Sequence, residues 1–251
     1  MSKTSNPTPA GTDGYIKSTS TTNFAGARDA TDGSGTGHLL IGSFLAVYVD
    51  KAATRAGDDD WQIYRSYMAF DTSMVSASFN LYSAKLQISN DAGSSDGPGD
   101  IIIVKSNKPD LSTNIANADF DDLPGFSAGN TMDGNVTDYS SVFPSGSYPT
   151  TENETVQIDL NAAALADIKS GDVLKLAIVN YNYDYKNIDF DTNSEANGMH
   201  YSDNTVAGRR PTLVLSWGFG HKVMGIDHRF MAKIVGVDDE RVKKVFSKDS
   251  S

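Results

Sequence analysis

Short apolar runs alternate with turn-forming clusters along most of this chain, and that alternation excludes most fold classes. The clusters include DATDGSGTG and NDAGSSDGPGD, whose residues tolerate positive φ or hydrogen-bond their own backbone. Only Leu160–Lys169 has a helical pattern, and Gly171, a residue type favoured after a helix, follows it. Many short strands and little helix predict an all-β fold, an antiparallel β-sandwich. The predicted strands are Tyr15–Lys17, Leu39–Val49, Tyr64–Phe70, Tyr82–Ile88, Ile101–Lys105, Val156–Leu160, Val173–Tyr183 and Thr212–Trp217.

The chain divides into three segments by composition. Residues 1–13 (MSKTSNPTPAGTD) are polar and predict a flexible arm, because they cannot bury enough apolar area to offset the entropy of ordering. An arm that docks on a neighbouring subunit is the alternative. Residues 14–217 contain the predicted strands without a linker and predict a single sandwich, in which Leu174, Leu176 and Ile178 alternate into the core. Residues 218–251 form a C-terminal tail with a different pattern.

The C-terminal tail repeats with a period of 11 residues, seen in KVMGIDHRFMA (222–232), KIVGVDDERVK (233–243) and KVFSKD (244–249). Asp227 and Asp238 suit the N-caps of short helical turns, and Gly225 and Gly236 suit sharp reversals between them. Such turns are too short to fold alone, so we expect the tail to dock on a second copy of the chain or on another protein. A right-handed coiled coil and a tail folded back on its own sandwich are the alternatives. The expected docking residues are Val223, Gly225, Ile226, Phe230, Ile234, Gly236, Val237, Val242 and Val245.

Charge and composition narrow the classes of partner. The net charge of −11 argues against a nucleic-acid surface, and the absence of cysteine excludes disulfides and thiolate metal sites. Residues 1–13 do not read as a secretory signal, and no run approaches the roughly 18 apolar residues that span a bilayer. We therefore expect synthesis in a cytoplasm and no membrane partner.

Catalytic motifs are absent from the sequence. It contains no G-x-S-x-G elbow, no H-E-x-x-H and no phosphate loop ending in GK[ST]. The histidines, His38, His200, His221 and His228, do not have the spacing of a ligand cluster. The chain is therefore predicted not to be an enzyme, with a hydrolase that uses paired carboxylates as a third alternative.

A calcium site is the one cofactor that the sequence indicates. The segment DFDTNSE places Asp189, Asp191, Asn193 and Glu195 at alternate positions, and hard cations prefer such oxygen ligands. It departs from a helix-loop-helix calcium loop, because Ser194 stands where glycine is expected and His200 where a bidentate glutamate is expected. A polar turn without metal is the alternative.

Three tyrosines alternate in YNYDYK. In a strand, Tyr181, Tyr183 and Tyr185 would share one face. An exposed face would bind a sugar or a protein, whereas a buried face would be ordinary core or rim.

Residues 13–217 resemble the disaggregatase-related repeat domains, known as DNRLRE domains, which are jelly rolls similar to carbohydrate-binding modules. The resemblance is carried by DGYIKSTSTTNFAG (13–26), LLIGS (39–43), RSYMAFDTSMVSASF (65–79), YSAKLQI (82–88) and RRPTLVLSW (209–217). It implies a jelly-roll sandwich in which Arg65 and Asp71 are structural, as a buried pair, rather than catalytic.

The tail is similar to repeats of the form Lys-Val-x-Gly-Val at the ends of bacteriophage virion proteins. Gly225 and Gly236 match this form, and Ser247 departs from it. Together the two resemblances imply a non-enzymatic virion structural protein, either a head decoration or fibre or a tail-associated protein. Such a protein would be made in the host cytoplasm and attached to other virion proteins or to its own copies. The alternative is a carbohydrate-binding or host receptor-binding module.

Overall fold

The computed structural model describes residues 2–5, 13–37, 44–53, 59–73, 75, 79–91, 97–190, 194–200, 202, 204–219, 222–223 and 226–227. Its helices are α1 (Phe24–Arg28) and α2 (Ala162–Ser170), with 3₁₀ turns at Asn117–Asp119, Ser145–Ser147 and Ala207–Arg209 and a π-helical turn at Tyr181–Tyr185. Its strands are β1 (Ser2–Ser5), β2 (Gly14–Ser20), β3 (Gly35–Gly37), β4 (Phe44–Ala53), β5 (Asp59–Asp71), β6 (Phe79–Ser89), β7 (Ile101–Lys105), β8 (Thr155–Leu160), β9 (Val173–Asn180), β10 (Glu195–His200), β11 (Thr212–Phe219), β12 (Lys222–Val223) and β13 (Ile226–Asp227).

Two antiparallel sheets form the body. The smaller sheet has the order β1-β11-β6-β8. The larger sheet has the order β10-β4-β5-β2-β3, with β9 paired to β5 and β7 paired to β9. The long strand β5 joins this sheet together, because it pairs with β2, β4 and β9 along different parts of its length. The predicted all-β sandwich is confirmed, and its jelly-roll connectivity stays a prediction.

Each face of the larger sheet contributes residues to a core, so the body has two cores. On one face Leu174, Leu176 and Ile178 of β9 join the core between the sheets, as predicted. On the other face Ala177 and Val179 join a second core, which is covered by α1, by residues from 115 to 136 and by the π-helical turn. A strand buried on both faces needs apolar residues at nearly every position, which accounts for the run Ile101–Val104 in β7.

All eight predicted strands are present, although several ends differ. The predicted strand Leu39–Val49 corresponds to β4, and its residues 39–43 lie outside the described part of the chain. The predicted helix is α2, which begins after Leu160 because the Asn161 side chain caps it by accepting hydrogen bonds from the amides of Ala163 and Ala164. It is followed by Gly171, as expected.

The helix α1 contradicts the prediction that only Leu160–Lys169 is helical, and its Phe24 and Ala27 are buried in the second core. The strands that the sequence did not predict lie at the edges of the sheets. The arm predicted as flexible contains β1, in which Ser2–Ser5 pair with β11, and Asp13 is buried and accepts hydrogen bonds from the amide and hydroxyl of Ser202. Strands β3 and β10 also lacked a strong pattern, because Gly35–Gly37 and EANG in β10 are rich in turn-forming residues.

The start of the tail differs from the prediction of helical turns. Lys222–Val223 and Ile226–Asp227 pair as two short antiparallel strands, so Asp227 lies in a strand rather than at a helix N-cap. Residues 228–251, which contain the remaining repeats, lie outside the described residues. No helix in the described part of the chain is long and apolar enough to cross a membrane.

Candidate binding surface

Three tyrosines from neighbouring strands of the larger sheet form one aromatic surface. Tyr48 of β4 and Lys17 of β2 are both direct register partners of Tyr64 in β5, so their side chains share a face of the sheet. Tyr15 lies two residues before Lys17 and therefore on the same face. The Tyr64 ring centroid lies 5.2 Å from that of Tyr15 and 5.1 Å from that of Tyr48. All three tyrosines are partly exposed, and we call them the tyrosine surface.

Polar groups surround the tyrosine surface. The Lys17 ammonium lies 5.9 Å from the Tyr64 ring centroid, and the Tyr64 hydroxyl donates a hydrogen bond of 3.2 Å to Gln62. Burial, followed by the proximity of Tyr15 and Asp50, raises the pKa of Tyr64 to about 12, and burial also raises the pKa of Tyr15. Both hydroxyls are therefore neutral at physiological pH, and each can donate and accept hydrogen bonds. The surface combines apolar ring area with hydrogen-bonding groups, a pairing common at binding sites.

Sequence reasoning did not single out the tyrosine surface. Each of its tyrosines alternates with buried residues inside a predicted strand, as Tyr48 does between Val47 and Val49. That alternation could have marked each ring as facing away from the core beside it. It could not show that the three rings meet, because the register between β2, β4 and β5 is not encoded in any one strand.

The tyrosines of YNYDYK do not line one face of a strand, so that prediction was wrong. They lie in the π-helical turn, where Tyr183 and Tyr185 are buried, as the core alternative expected. Tyr181 stacks on Tyr185 with ring centroids 5.4 Å apart, and Tyr183 packs against Phe190 at 4.8 Å. The turn forms because the Asn180 side chain accepts a hydrogen bond from the amide of Tyr183, which ends β9.

Asp184, in the same turn, is the centre of a buried ion cluster. Its carboxylate accepts two hydrogen bonds of 2.8 Å from the Arg65 guanidinium, and both side chains are fully buried. The Arg28 side chain, also fully buried, donates a hydrogen bond to the Asp184 carbonyl and pairs with Asp29. Arg65 is therefore structural, as expected, but its partner is Asp184 rather than Asp71. Asp71 is partly exposed and accepts hydrogen bonds from Ser73.

The structure only partly describes the predicted calcium ligands. Asp189 is exposed and accepts a hydrogen bond from the amide of Phe190. Glu195 accepts a hydrogen bond of 2.7 Å from the Asn180 amide, and burial raises the pKa of its carboxyl group. Asp191 and Asn193 lie outside the described residues. Within the described part of the chain no group of three or more acidic or histidine side chains could hold a metal ion. The calcium site stays a prediction.

Calcium binding would show as thermal stabilisation. We expect added calcium to raise the melting temperature, because a ligand at about 100 times its dissociation constant adds about 2.7 kcal/mol to the free energy of unfolding. Asp191→Ala and Glu195→Gln should each remove the rise, whereas Asp159→Asn, at a carboxylate that is 79% exposed on β8, should retain it. A parent protein whose melting temperature does not respond to millimolar calcium would contradict the prediction.

An open pocket of about 260 Å³ lies beside the C-terminal end of α2. Lys105 and Lys175 line it together with Tyr139 and Asp167. The Lys105 ammonium lies 2.8 Å from the Asp167 carboxylate, which also accepts a hydrogen bond from the Tyr139 hydroxyl, and Lys175 pairs with Asp110. Because each of these lysines already has an acidic partner, the pocket indicates local structural pairing rather than an anion site.

The predicted docking residues of the tail lie mostly beyond the described region. Val223 and Ile226 are described as register partners in the β12–β13 pair. The other predicted docking residues, Gly225, Phe230, Ile234, Gly236, Val237, Val242 and Val245, lie outside the described residues. Docking through the tail stays a prediction.

Comparisons with known proteins add no family to this description. No protein-family model matches the chain, and a search of curated proteins finds no match. The described structure defines the class, an antiparallel β-sandwich with two cores. The resemblances to the disaggregatase-related repeat domains and to virion tail repeats stay predictions.

Proposed function

We propose that this protein is a non-enzymatic structural component of a bacteriophage virion, a β-sandwich held in the particle through its terminal segments. One observation carries the proposal. Ser2 of β1 is the register partner of Ser216 in β11, and the tail begins at Gly218, near the end of β11 at Phe219. The Ser2 end of β1 and the start of the tail therefore lie near the same end of β11. This arrangement supports attachment at one pole and display of the rest of the sandwich.

The interior of the body suits a displayed structural module. Arg65 and Asp184 are completely buried and paired across 119 residues of sequence, which ties the second core to β5. The two cores share the larger sheet, so neither can open without exposing apolar residues of the same strands. Under the proposal the partners are other virion proteins or further copies of the chain, and the protein is made in the host cytoplasm.

Removing the tail tests this proposal. Truncation should follow Phe219 rather than Trp217, because Gly218 and Phe219 still pair with Asn80 and Phe79 of β6. We expect the truncated protein to stay folded, with its melting temperature lowered by no more than about 2–4 °C, which corresponds to about 1 kcal/mol. It should lose oligomerisation or incorporation into particles, measured by size-exclusion chromatography and by fractionation of purified particles.

A point substitution in the repeat serves as a milder test. Gly236→Val should cause much of the same loss, because the repeat predicts a reversal there that a branched residue resists. The matched control is Gly208→Val, since a Cβ atom added at Gly208 would meet no atom within 4 Å. A truncated protein that loses stability instead of partners would show a tail folded on its own sandwich. One that remains stable and assembles normally would contradict docking altogether.

Glycan binding is the second candidate, and the tyrosine surface favours it. A sugar ring presents a C–H face that packs on aromatic rings and hydroxyl edges that hydrogen-bond to polar side chains. Tyr15, Tyr48 and Tyr64 supply the rings, and Lys17 and Gln62 supply polar groups beside them. A module of this kind on a phage would bind a receptor on the host surface.

Tyr64→Ala should weaken glycan binding more than any other single change, because Tyr64 contacts both other rings. We expect at least a tenfold loss of affinity, which corresponds to about 1.4 kcal/mol, for glycans that the parent protein binds on an array. Tyr181→Ala is the matched control, since Tyr181 stacks in the π-helical turn and not on the tyrosine surface. Equal losses in both variants, or an array without any bound glycan, would contradict this candidate.

A further inference from the structure

The outer edge of β11 is paired with a very short strand, β1. Leu213 and Leu215 of β11 are completely buried and Trp217 nearly so, so β11 is an integral strand of the core. Its other edge pairs with β6, and among the described residues only Ser2–Ser5 pair with the edge that would otherwise be open. An uncovered apolar edge strand would present a row of free backbone donors and acceptors to any other strand. The edge of β11 therefore needs a pairing strand to satisfy its backbone hydrogen bonds.

The strand that covers this edge is polar. Its sequence is Ser-Lys-Thr-Ser, without an apolar residue, and its register runs over four residue pairs from Ser2↔Ser216 to Ser5↔Leu213. Pairing of this kind rests on backbone hydrogen bonds, which do not depend on the chain that supplies them. Residues Ser2–Ser5 of a second copy can make the same bonds in the same register, so exchange sacrifices none of them.

The connection between β1 and the rest of the body permits exchange. Asp13 is held in place by Ser202, so β2 and the larger sheet stay anchored whichever copy receives β1. The seven residues between Ser5 and Asp13 can reach about 25 Å when extended. They include Pro7 and Pro9, and proline favours extended backbone at itself and at the residue before it. A connection of this length and composition is compatible with pairing on a neighbouring copy as well as on the chain's own β11.

We propose that the outer edge of β11 is a docking site for residues Ser2–Ser5 of a second copy of this chain, so that copies assemble by exchanging β1. The inference concerns copies of this chain alone and does not depend on whether they are part of a virion. It assigns the N-terminal segment a role in assembly that is separate from the tail.

Disulfide trapping tests the exchange, and a chain without cysteine suits it. An affinity-tagged Ser2→Cys chain and an untagged Ser216→Cys chain are refolded together and oxidised. Directly paired antiparallel residues have the Cα separation that a disulfide requires, so a disulfide between the two chains forms efficiently only if β1 of one pairs with β11 of the other. The matched control replaces Ser216→Cys with Asp159→Cys, on the opposite edge strand β8 of the same sheet.

We expect the tagged heterodimer to exceed the control several-fold. The Ser2→Cys/Ser216→Cys double variant should give disulfide-linked oligomers whose yield rises with protein concentration during refolding. Deleting residues 2–5 should lower the oligomeric mass measured by light scattering, with the tail left intact. A heterodimer yield no higher than the control, together with a double variant that forms only an internal disulfide, would overturn the proposal. A wild-type chain that remains monomeric at every concentration would overturn it as well.

Discussion

Replacing Asp184 by asparagine should lower the free energy of unfolding by about 3–5 kcal/mol, the usual cost of removing one partner from a buried ion pair. Asparagine keeps the shape of the side chain but removes its charge, which leaves the Arg65 guanidinium buried without its carboxylate. Burial opposes the charged form of Arg65, yet the charge and hydrogen bonds of Asp184 outweigh it and raise the pKa of the guanidinium. The native pair therefore holds Arg65 charged inside the second core.

The surroundings of Arg65 prevent it from escaping to solvent. Its guanidinium donates hydrogen bonds to the carbonyls of Phe120 at 2.8 Å and Arg28 at 3.0 Å. The ring centroids of Phe120 and Phe126 lie 4.1 and 4.7 Å from Cζ of Arg65. Arg65→Lys should also be strongly destabilising, because an ammonium cannot reproduce this planar set of contacts.

Urea unfolding measures these losses, and an exposed pair provides the control. Lys85 lies 2.9 Å from Asp159 on the smaller sheet, with side chains that are 39% and 79% exposed. Lys85→Gln should change the free energy of unfolding by less than about 1 kcal/mol, because solvent screens exposed pairs. If Asp184→Asn cost no more than Lys85→Gln, the buried cluster would not hold the second core together.

Leu176→Ala should lower the free energy of unfolding by about 2–5 kcal/mol, the range for removing a buried leucine side chain from a packed core. Leu176 is completely buried in the core between the sheets. Its backbone pairs with Met68 of β5 on one side and Lys105 of β7 on the other, so the strand cannot shift to fill the cavity. The substitution is therefore expected to leave an unfilled space at the centre of the larger sheet.

Ile188→Ala is the matched control for this loss, since Ile188 is 51% exposed and its truncation creates no cavity. The free energies of unfolding of the two variants, measured by thermal and urea unfolding, should differ by at least about 1.5 kcal/mol. A Leu176→Ala protein within about 0.5 kcal/mol of the parent would show that this face of β9 does not carry the core.

The strands of the body follow from local pattern. Each predicted strand is an apolar run bounded by turn-forming residues, and each is present in the structure. Strand geometry and the alternation of side chains depend on a few neighbouring residues, so the local sequence is enough to predict them. The same holds for α2, which the sequence predicted over Leu160–Lys169 before Gly171. The observed helix begins at Ala162, two residues later, because Asn161 is its N-cap. Strand β1 was missed for the corresponding reason, because Ser-Lys-Thr-Ser has no apolar pattern and its pairing comes entirely from the edge of β11.

The sites depend on which distant residues meet. Alternation in YNYDYK predicted a strand, but β9 ends at Asn180, and a π-helical turn directs Asp184 to an arginine 119 residues earlier. The resemblance indicated that Arg65 is structural but assigned the wrong partner, since a buried guanidinium takes whichever carboxylate the fold brings within hydrogen-bond distance. The tyrosine surface arises in the same way from the registers of β2, β4 and β5. Local periodicity specifies strands, because it acts between neighbours in sequence. Pairing of charges and rings is specified by register and packing, which involve the whole chain at once.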